Sequence, residues 1–152
     1  MKLLLVCLGN ICRSPMAEGI LRDMIAEEGL PWSTDSAGTG DYHVGEAPDK
    51  RAVKAMKDRD IDISDLRARQ LRPQDFEDFD LLLAMDASNL RNMLAVAPNV
   101  ELAKKARLMM DFAPDHALRA VPDPYFGGDE GFREVYEMLT IACRNLMNDV
   151  QR

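Results

Sequence analysis

The sequence has no long apolar run. Although 47% of its 152 residues are hydrophobic, no stretch approaches the roughly 18 continuous apolar residues that a transmembrane helix needs. The apolar run near the N-terminus, Leu3–Val6, is too short for a membrane span or for the core of a signal peptide. We therefore expect a cytoplasmic protein with no membrane partner.

The sequence also has no excess of positive charge. Its 19 lysines and arginines are outnumbered by 26 aspartates and glutamates, which gives a net charge of −7. Non-specific binding to nucleic acid or to anionic lipid depends on a basic surface. The composition therefore argues against a nucleic-acid partner.

Cysteine and histidine are both scarce. Three cysteines and two histidines provide neither a disulfide framework nor the closely spaced ligands of a zinc site. We therefore expect no metal and no cofactor, and thiols that are either reactive or buried. Cys143 falls on the apolar face of the last predicted helix, where the expected role is that of a small buried hydrophobe.

The sequence does contain an alternation of strand and helix patterns. Apolar or strand-like runs predict β-strands at residues 3–6, 32–37, 80–85 and 106–112. Helical periodicity predicts helices at residues 15–28, 47–59 and 129–150, and a helix cap at 86–89. At this length, the alternation predicts a single domain over residues 1–152 with an α/β, doubly wound, flavodoxin-like fold. Its four-stranded parallel sheet would carry helices on both faces.

The segment Cys7–Ser14 joins the first predicted strand to the first predicted helix. Unpaired backbone N–H groups and the helix dipole favour an anion at such a junction, and Arg13 adds a planar fork that fits two phosphate oxygens. The same positive potential favours the thiolate of Cys7, which makes this residue nucleophilic at neutral pH. The segment therefore predicts a phosphate site that contains a nucleophile.

A phosphate monoester bound there would also need an acid. Cys7 would attack phosphorus in line, and the leaving oxygen would require a proton. Asp123 lies in the Pro- and Gly-rich segment 113–128 and is the best candidate for that acid. Once ionised, it could activate the water that hydrolyses the intermediate. Together these residues predict a phosphatase that works without a metal.

The segment from Cys7 to Glu18, CLGNICRSPMAE, followed by Asp123-Pro124-Tyr125, resembles the low molecular weight protein tyrosine phosphatase family. The resemblance spans the whole chain, and the acid follows the Cys-x5-Arg loop, whereas it precedes that loop in the larger classical tyrosine phosphatases. The resemblance implies that Cys7 is the nucleophile, Arg13 the phosphate binder and Asp123 the general acid.

The resemblance also implies roles for the surrounding residues. The phosphate-binding and loop-shaping positions would be Leu8, Gly9, Asn10, Ile11, Cys12 and Ser14. Ser14 would also hydrogen-bond the Cys7 thiolate, and Cys12 could form a reversible disulfide with Cys7. Ile11, Tyr42 and Tyr125 would wall the substrate pocket. Ser36 would support Asn10.

Two positions depart from the family pattern. Many members carry a histidine near Ser64-Asp65, in a network with the loop asparagine, whereas the next residue here is Leu66. We therefore expect fewer restraints on Asn10. Tyr125 is followed by Phe126 rather than by a second tyrosine, which removes one phosphorylation site and keeps a hydrophobic wall.

The resemblance implies a phosphotyrosine-containing protein as partner, with tyrosine kinases among the candidates, and inorganic phosphate as product. Protein-arginine phosphatase is a close alternative, although such relatives tend to carry threonine where this chain has Ile11. An arsenate reductase coupled to thioredoxin would need further cysteines near the middle of the chain, and residues 13–142 contain none. A cysteine phosphocarrier and a phosphotyrosine-binding module are more remote alternatives, because neither needs a nucleophile, a phosphate binder and an acid together.

Overall fold

The computed structural model describes residues 1–151, and these contain four parallel β-strands. The strands are β1 (Lys2–Cys7), β2 (Ser33–Gly38), β3 (Leu81–Ala84) and β4 (Ala106–Leu108). They pair in the order β2-β1-β3-β4, so β1 is hydrogen-bonded on both sides. The strand that leads to Cys7 is therefore an interior strand.

Within residues 1–151, six α-helices connect or follow the strands. They are α1 (Arg13–Glu27), α2 (Lys50–Lys57), α3 (Asp75–Asp78), α4 (Ala87–Val96), α5 (Val100–Ala103) and α6 (Asp129–Val150). None of these helices combines the length and the apolar composition needed to cross a membrane.

Both faces of the sheet are buried. Successive side chains of a strand point to opposite faces, and along β1 this divides the apolar run between two cores. Leu3 and Leu5 pack with α1 and α6, whereas Leu4 and Val6 pack with α3 and α4. A strand covered on both faces is apolar at every position, which explains the continuous run in the sequence. The predicted doubly wound, flavodoxin-like sheet with helices on both faces is confirmed.

Some predicted elements differ from the observed ones at their ends. The first helix begins at Arg13, so Pro15 is its third residue rather than its first. The strand predicted over 106–112 ends at Leu108, because Met109–Phe112 forms a 3-10 helix whose apolar side chains are buried in the core shared with α6.

The remaining differences concern helices on the surface. The helix predicted from residue 47 begins at Lys50, because the side chain of Asp49 caps it by accepting the backbone N–H of Arg51. The helices α3 and α5 have four residues each, which is too short to show helical periodicity in a sequence.

Candidate active site

The phosphate loop, residues 7–14, joins the carboxyl end of β1 to the first turn of α1. The first N–H groups of a helix have no partner within that helix, and the helix dipole places partial positive charge at the same point. Four of its residues are buried: Cys7, Asn10, Arg13 and Ser14 are each no more than 3% exposed. It therefore forms a buried cradle suited to an anion.

Asn10 fixes the shape of this loop through its whole side-chain amide. Its Nδ2 donates to Oγ of Ser14 at 2.8 Å and to Oγ of Ser36 at 2.9 Å, and its Oδ1 accepts the backbone N–H of Arg69 at 3.0 Å. Its φ is +58°, a left-handed conformation that asparagine adopts more readily than most residues. Although Leu66 stands where many relatives carry a histidine, Ser14, Ser36 and Arg69 together satisfy the side-chain amide of Asn10.

Ser14 links Asn10 to the thiol. Its Oγ lies 2.9 Å from Sγ of Cys7, which is within hydrogen-bond distance. Because Oγ already accepts a bond from Asn10, its own proton is free to point at the sulfur. A hydroxyl in this position can donate a hydrogen bond to the sulfur of Cys7.

A buried carboxyl group, that of Glu18, lies behind the phosphate loop. Oγ of Ser36 donates to Oε1 of Glu18 at 2.6 Å, and only 5% of Glu18 is exposed. Burial raises the pKa of Glu18 from 4.5 to about 7, against the lowering effect of the Ser36 hydrogen bond. Sequence analysis missed this residue. The available signal was its position one helical turn after Ser14, on the same side of α1.

Arg13 is held on one side of the pocket. Its Nη1 donates to Oδ2 of Asp86 at 2.7 Å and to the backbone oxygen of Val121 at 3.0 Å. Its Nη2 lies 3.7 Å from Oδ2 of Asp123. Asp86 was predicted as a helix cap and does cap α4, by accepting the N–H of Asn89. Its second role, fixing the plane of the guanidinium, was not predicted.

The acid loop, residues 122–128, also borders the pocket and is mostly exposed. The side chain of Asp123 is 40% exposed, and Phe126 is 92% exposed. Oδ1 of Asp123 accepts the backbone N–H of Tyr125 at 3.1 Å, while Oδ2 is the oxygen that faces Arg13. The carboxylate is therefore oriented by its own loop and stays open to the pocket.

The phosphate loop and the acid loop line one open pocket. Its lining residues are Cys7, Leu8, Gly9, Ile11, Cys12, Arg13, Tyr42, His43, Asp123, Tyr125 and Phe126. Among the predicted site residues, Asn10, Ser14 and Ser36 do not line this pocket; they form the hydrogen-bond network behind it. The structure thus brings the predicted residues together as a lining layer and a supporting layer.

Two glycines allow ring side chains to pack close to the backbone, one in the phosphate loop and one in the loop that carries Tyr42. A Cβ on Gly9 would lie 3.0 Å from Cδ2 of His43, and a Cβ on Gly40 would lie 2.6 Å from Cε2 of Tyr42. Sequence analysis did not single out His43, but this residue lines the pocket and its ring centroid lies 6.4 Å from that of Tyr125. The glycine of the phosphate loop was the signal that a ring could pack there.

The structure contains three free thiols in different surroundings. Burial, followed by the charge of Asp49, raises the pKa of Cys12 to about 12, so Cys12 is protonated at neutral pH. Cys143 is fully buried on α6, as predicted. Of the three, Cys7 is the one that contacts the hydroxyl of Ser14.

A thiol, a guanidinium and a carboxylate around one anion pocket, at the end of a parallel strand, define the class of small cysteine-dependent phosphatases. The family model described as low molecular weight phosphotyrosine protein phosphatase matches residues 2–152. The chain therefore belongs to the low molecular weight phosphotyrosine protein phosphatase family.

Individual relatives agree with this assignment. The low molecular weight phosphotyrosine protein phosphatase of Schizosaccharomyces pombe is 41% identical over 152 residues, which cover 98% of this chain and 96% of the relative. A crystal structure of a protein tyrosine phosphatase from Entamoeba histolytica has a TM-score of 0.94 at 40% identity, covering 99% of this chain and 97% of that one. The crystal structure described as the Drosophila arginine phosphatase has a TM-score of 0.91 at 34% identity, covering 100% and 99%. Similarity of fold therefore does not by itself distinguish a tyrosine phosphatase from an arginine phosphatase.

Proposed function

We propose that this enzyme hydrolyses phosphotyrosine monoesters, with Cys7 as nucleophile, Arg13 as phosphate binder and Asp123 as general acid and base. The observation that supports this most directly is that all three side chains line one pocket at the N-terminus of α1. Residues 1–152 would act as one domain. The substrate would be a phosphotyrosine-containing protein of the cytoplasm, with tyrosine kinases among the candidates.

In the first step, the Cys7 thiolate attacks phosphorus in line with the ester oxygen. The S–P bond forms as the P–O bond breaks, while Arg13 and the N–H groups of the phosphate loop bind the equatorial oxygens. The leaving phenolate takes its proton from the carboxyl group of Asp123. The products of this step are a cysteinyl phosphate and the substrate protein with a dephosphorylated tyrosine side chain.

In the second step, the ionised Asp123 removes a proton from water, and the water oxygen attacks phosphorus. The S–P bond breaks, inorganic phosphate leaves, and the released Cys7 thiolate is stabilised by Ser14 at 2.9 Å. Cys12 does not compete as a nucleophile, because burial keeps it protonated. If peroxide oxidises Cys7 to a sulfenic acid, condensation with the Cys12 thiol would give a disulfide and water.

Apolar and aromatic walls favour a flat phenol ring in the pocket. Ile11 is 8% exposed and lines the pocket together with Tyr42 and Tyr125. Aromatic side chains bury large apolar areas and interact favourably with other rings. These walls match a phosphotyrosine ring better than a polar guanidinium group.

The central test is turnover of an aryl phosphate and of a phosphotyrosine peptide by the wild type, Cys7→Ser and Asp123→Ala. We expect no turnover by Cys7→Ser, because a neutral hydroxyl replaces the thiolate. We expect kcat/KM of Asp123→Ala to fall by a factor on the order of 100 to 1,000, which is typical of losing a general acid. Wild-type rates in Cys7→Ser would rule out the proposed mechanism.

Arginine dephosphorylation is the second candidate, because the crystal structure described as the Drosophila arginine phosphatase is similar to the structure of this chain. A side-by-side assay should show phosphotyrosine cleaved much faster than phosphoarginine. The variant Ile11→Thr should shift this ratio toward phosphoarginine, since it replaces an apolar wall with a hydroxyl. A wild type that prefers phosphoarginine would overturn the tyrosine assignment while leaving the roles of Cys7 and Asp123 intact.

A further inference from the structure

Arg51, in the first turn of α2, hydrogen-bonds two main-chain carbonyls of the acid loop. Nη1 of Arg51 donates to the backbone oxygen of Gly127 at 2.9 Å, and Nη2 donates to the backbone oxygen of Tyr125 at 2.8 Å. The guanidinium carbon also lies 5.6 Å from the ring centroid of Tyr125 and 4.7 Å from that of Phe132. One side chain therefore contacts the loop through two carbonyls and one ring.

The guanidinium of Arg51 is also held by the carboxylate of Asp49. Nε donates to Oδ1 of Asp49 at 3.1 Å and Nη2 donates to Oδ2 at 3.0 Å, so the pair has the two-pronged geometry that orients an arginine well. The hydrogen bond from Arg51 lowers the pKa of Asp49, which keeps this carboxylate ionised at neutral pH. Arg51 thus has a defined orientation rather than that of a mobile surface cation.

Asp49 in turn is attached to the phosphate loop. Its backbone N–H donates to the backbone oxygen of Ile11 at 2.8 Å. A continuous series of contacts therefore runs from Ile11 through Asp49 and Arg51 to the acid loop. The two halves of the site are connected through the beginning of α2.

The acid loop has few other attachments. Within the described residues, the remaining main-chain hydrogen bonds of 122–128 are local: Gly127 donates to Pro124, and Gly128 accepts from Gly131. The carboxylate contact with Arg13, at 3.7 Å, is longer than a good hydrogen bond. Removing Arg51 would leave the loop without a direct main-chain hydrogen bond to the body of the enzyme.

We propose that Arg51 is a positioning residue for acid catalysis: it holds the acid loop so that the Asp123 carboxyl group faces the leaving oxygen. This inference rests on the proposed role of Asp123. Arg51 touches neither the phosphate nor the ring of the substrate in the proposed reaction, and it acts through the carbonyls of Tyr125 and Gly127. Misplacing a catalytic group by about 1 Å can lower a rate by a factor on the order of 100.

Leaving-group dependence distinguishes this role from a merely structural one. Phenyl phosphate releases a basic phenolate and depends strongly on the acid, whereas 4-nitrophenyl phosphate releases a stable anion and depends on it much less. Because kcat/KM reports the steps up to P–O cleavage, Arg51→Ala should lower kcat/KM roughly ten- to hundredfold for phenyl phosphate and only severalfold for the nitrophenyl ester.

Arg59→Ala is the matched control. Its guanidinium carbon also lies 4.7 Å from an aromatic ring of α6, that of Tyr136, but the acid loop is not among its contacts. We expect wild-type kinetics with both esters. Competitive inhibition by inorganic phosphate should be unchanged in Arg51→Ala, because the phosphate loop keeps its Asn10 network and its Asp49–Ile11 hydrogen bond.

A double-mutant cycle with Asp123→Ala completes the test. If Arg51 acts through Asp123, then Arg51→Ala should have no further effect in the Asp123→Ala background. Equal losses with both esters, or full additivity in that background, would overturn the inference while Asp123→Ala alone still showed whether the acid assignment holds. If Arg51→Ala lowers the melting temperature sharply, Arg51→Lys can replace it, because lysine keeps the charge and the aliphatic stem but lacks the planar guanidinium. Arg51→Lys should show the same dependence on the leaving group, with smaller losses of kcat/KM.

Discussion

The two loops that form the site are built in opposite ways. In the phosphate loop, Asn10, Arg13 and Ser14 are at most 3% exposed, and side-chain hydrogen bonds fix them from behind. In the acid loop, the Asp123 side chain is 40% exposed and Phe126 is 92% exposed. One half of the site is rigid before substrate arrives, and the other half is open to solvent.

This difference matches the tasks that the two loops would have. Stabilising a transferring phosphoryl group requires donors already in place, since reorganisation during the reaction weakens electrostatic stabilisation. Delivering a proton requires a group that reaches the leaving oxygen after a bulky phosphoprotein has entered. An exposed loop also leaves the product a path out of the pocket, and product release limits many enzymes. The buried phosphate loop would therefore bind the phosphate, and the exposed acid loop would leave room for the substrate to reach it.

The largest effect is expected from Asn10→Ala, which would break the rigid half. It removes three hydrogen bonds and leaves buried partners unsatisfied, so the free energy of unfolding should fall by about 2 to 3 kcal/mol. We expect kcat to fall roughly tenfold or more, because the loop amides lose their fixed direction. Urea unfolding and aryl phosphate turnover measure the two effects.

Asn99→Ala is a suitable control for that experiment. Asn99 caps α5 by accepting the N–H of Leu102 at 2.9 Å, and it does not line the pocket. Losing this cap should cost about 1 kcal/mol of stability with no change in turnover. If Asn10→Ala kept full activity, as is expected of Asn99→Ala, turnover would not depend on the fixed shape of the phosphate loop. The contrast drawn between the two loops would then be weakened.

At Glu18 the expected effect is a change in the stability of the phosphate-loop region with pH. Three charged groups act on the Glu18 carboxyl: Asp35 of β2, Arg22 of α1, and Asp65 in the segment between α2 and α3. Because burial raises the pKa of Glu18 from 4.5 to about 7, the folded state binds its proton more tightly than the unfolded state. The resulting stabilisation is complete below pH 4.5 and is lost as the pH rises to about 7.

Glu18→Gln should remove that dependence. The amide oxygen can still accept from Ser36, but nothing titrates, so the stability of the variant relative to the wild type should rise between pH 4.5 and 7. The change should amount to about 3 kcal/mol at most. Thermal melts over this pH range measure it, and parallel curves for the two proteins would contradict the assignment.

The smallest effect is expected at the open rim of the pocket, with Tyr42→Ala. Tyr42 is 72% exposed, so it can contribute one face of contact to a substrate ring and little to stability. We expect KM for a phosphotyrosine peptide to rise roughly three- to tenfold with kcat unchanged. Tyr42→Phe keeps the ring and should behave as the wild type. A fall in kcat would show that Tyr42 affects chemistry and not only binding.

The parts of the site that could be predicted from sequence are those whose chemistry is distinctive. A cysteine six residues before an arginine, between a strand and a helix, has few other uses, and Asp123 became recognisable through its partnership with them. Glu18 and Asp86 could not be singled out, because they are two of 26 acidic residues and their roles depend on what the fold brings near them. Arg51 was hidden for the same reason, since its acceptors at Tyr125 and Gly127 lie more than 70 positions away.

The position of β1 inside the sheet bears on how the enzyme would lose activity as it begins to unfold. Leu3 is paired with Thr34 on one side and with Leu81 on the other, whereas β2 and β4 are edge strands. Amide hydrogen exchange is slowest where opening requires global unfolding. We therefore expect the amides of residues 3–6 to be among the last to exchange and those of the acid loop among the first. Mild denaturant would then suppress proton delivery before it exposed the thiol, giving a population that still binds phosphate but turns over slowly.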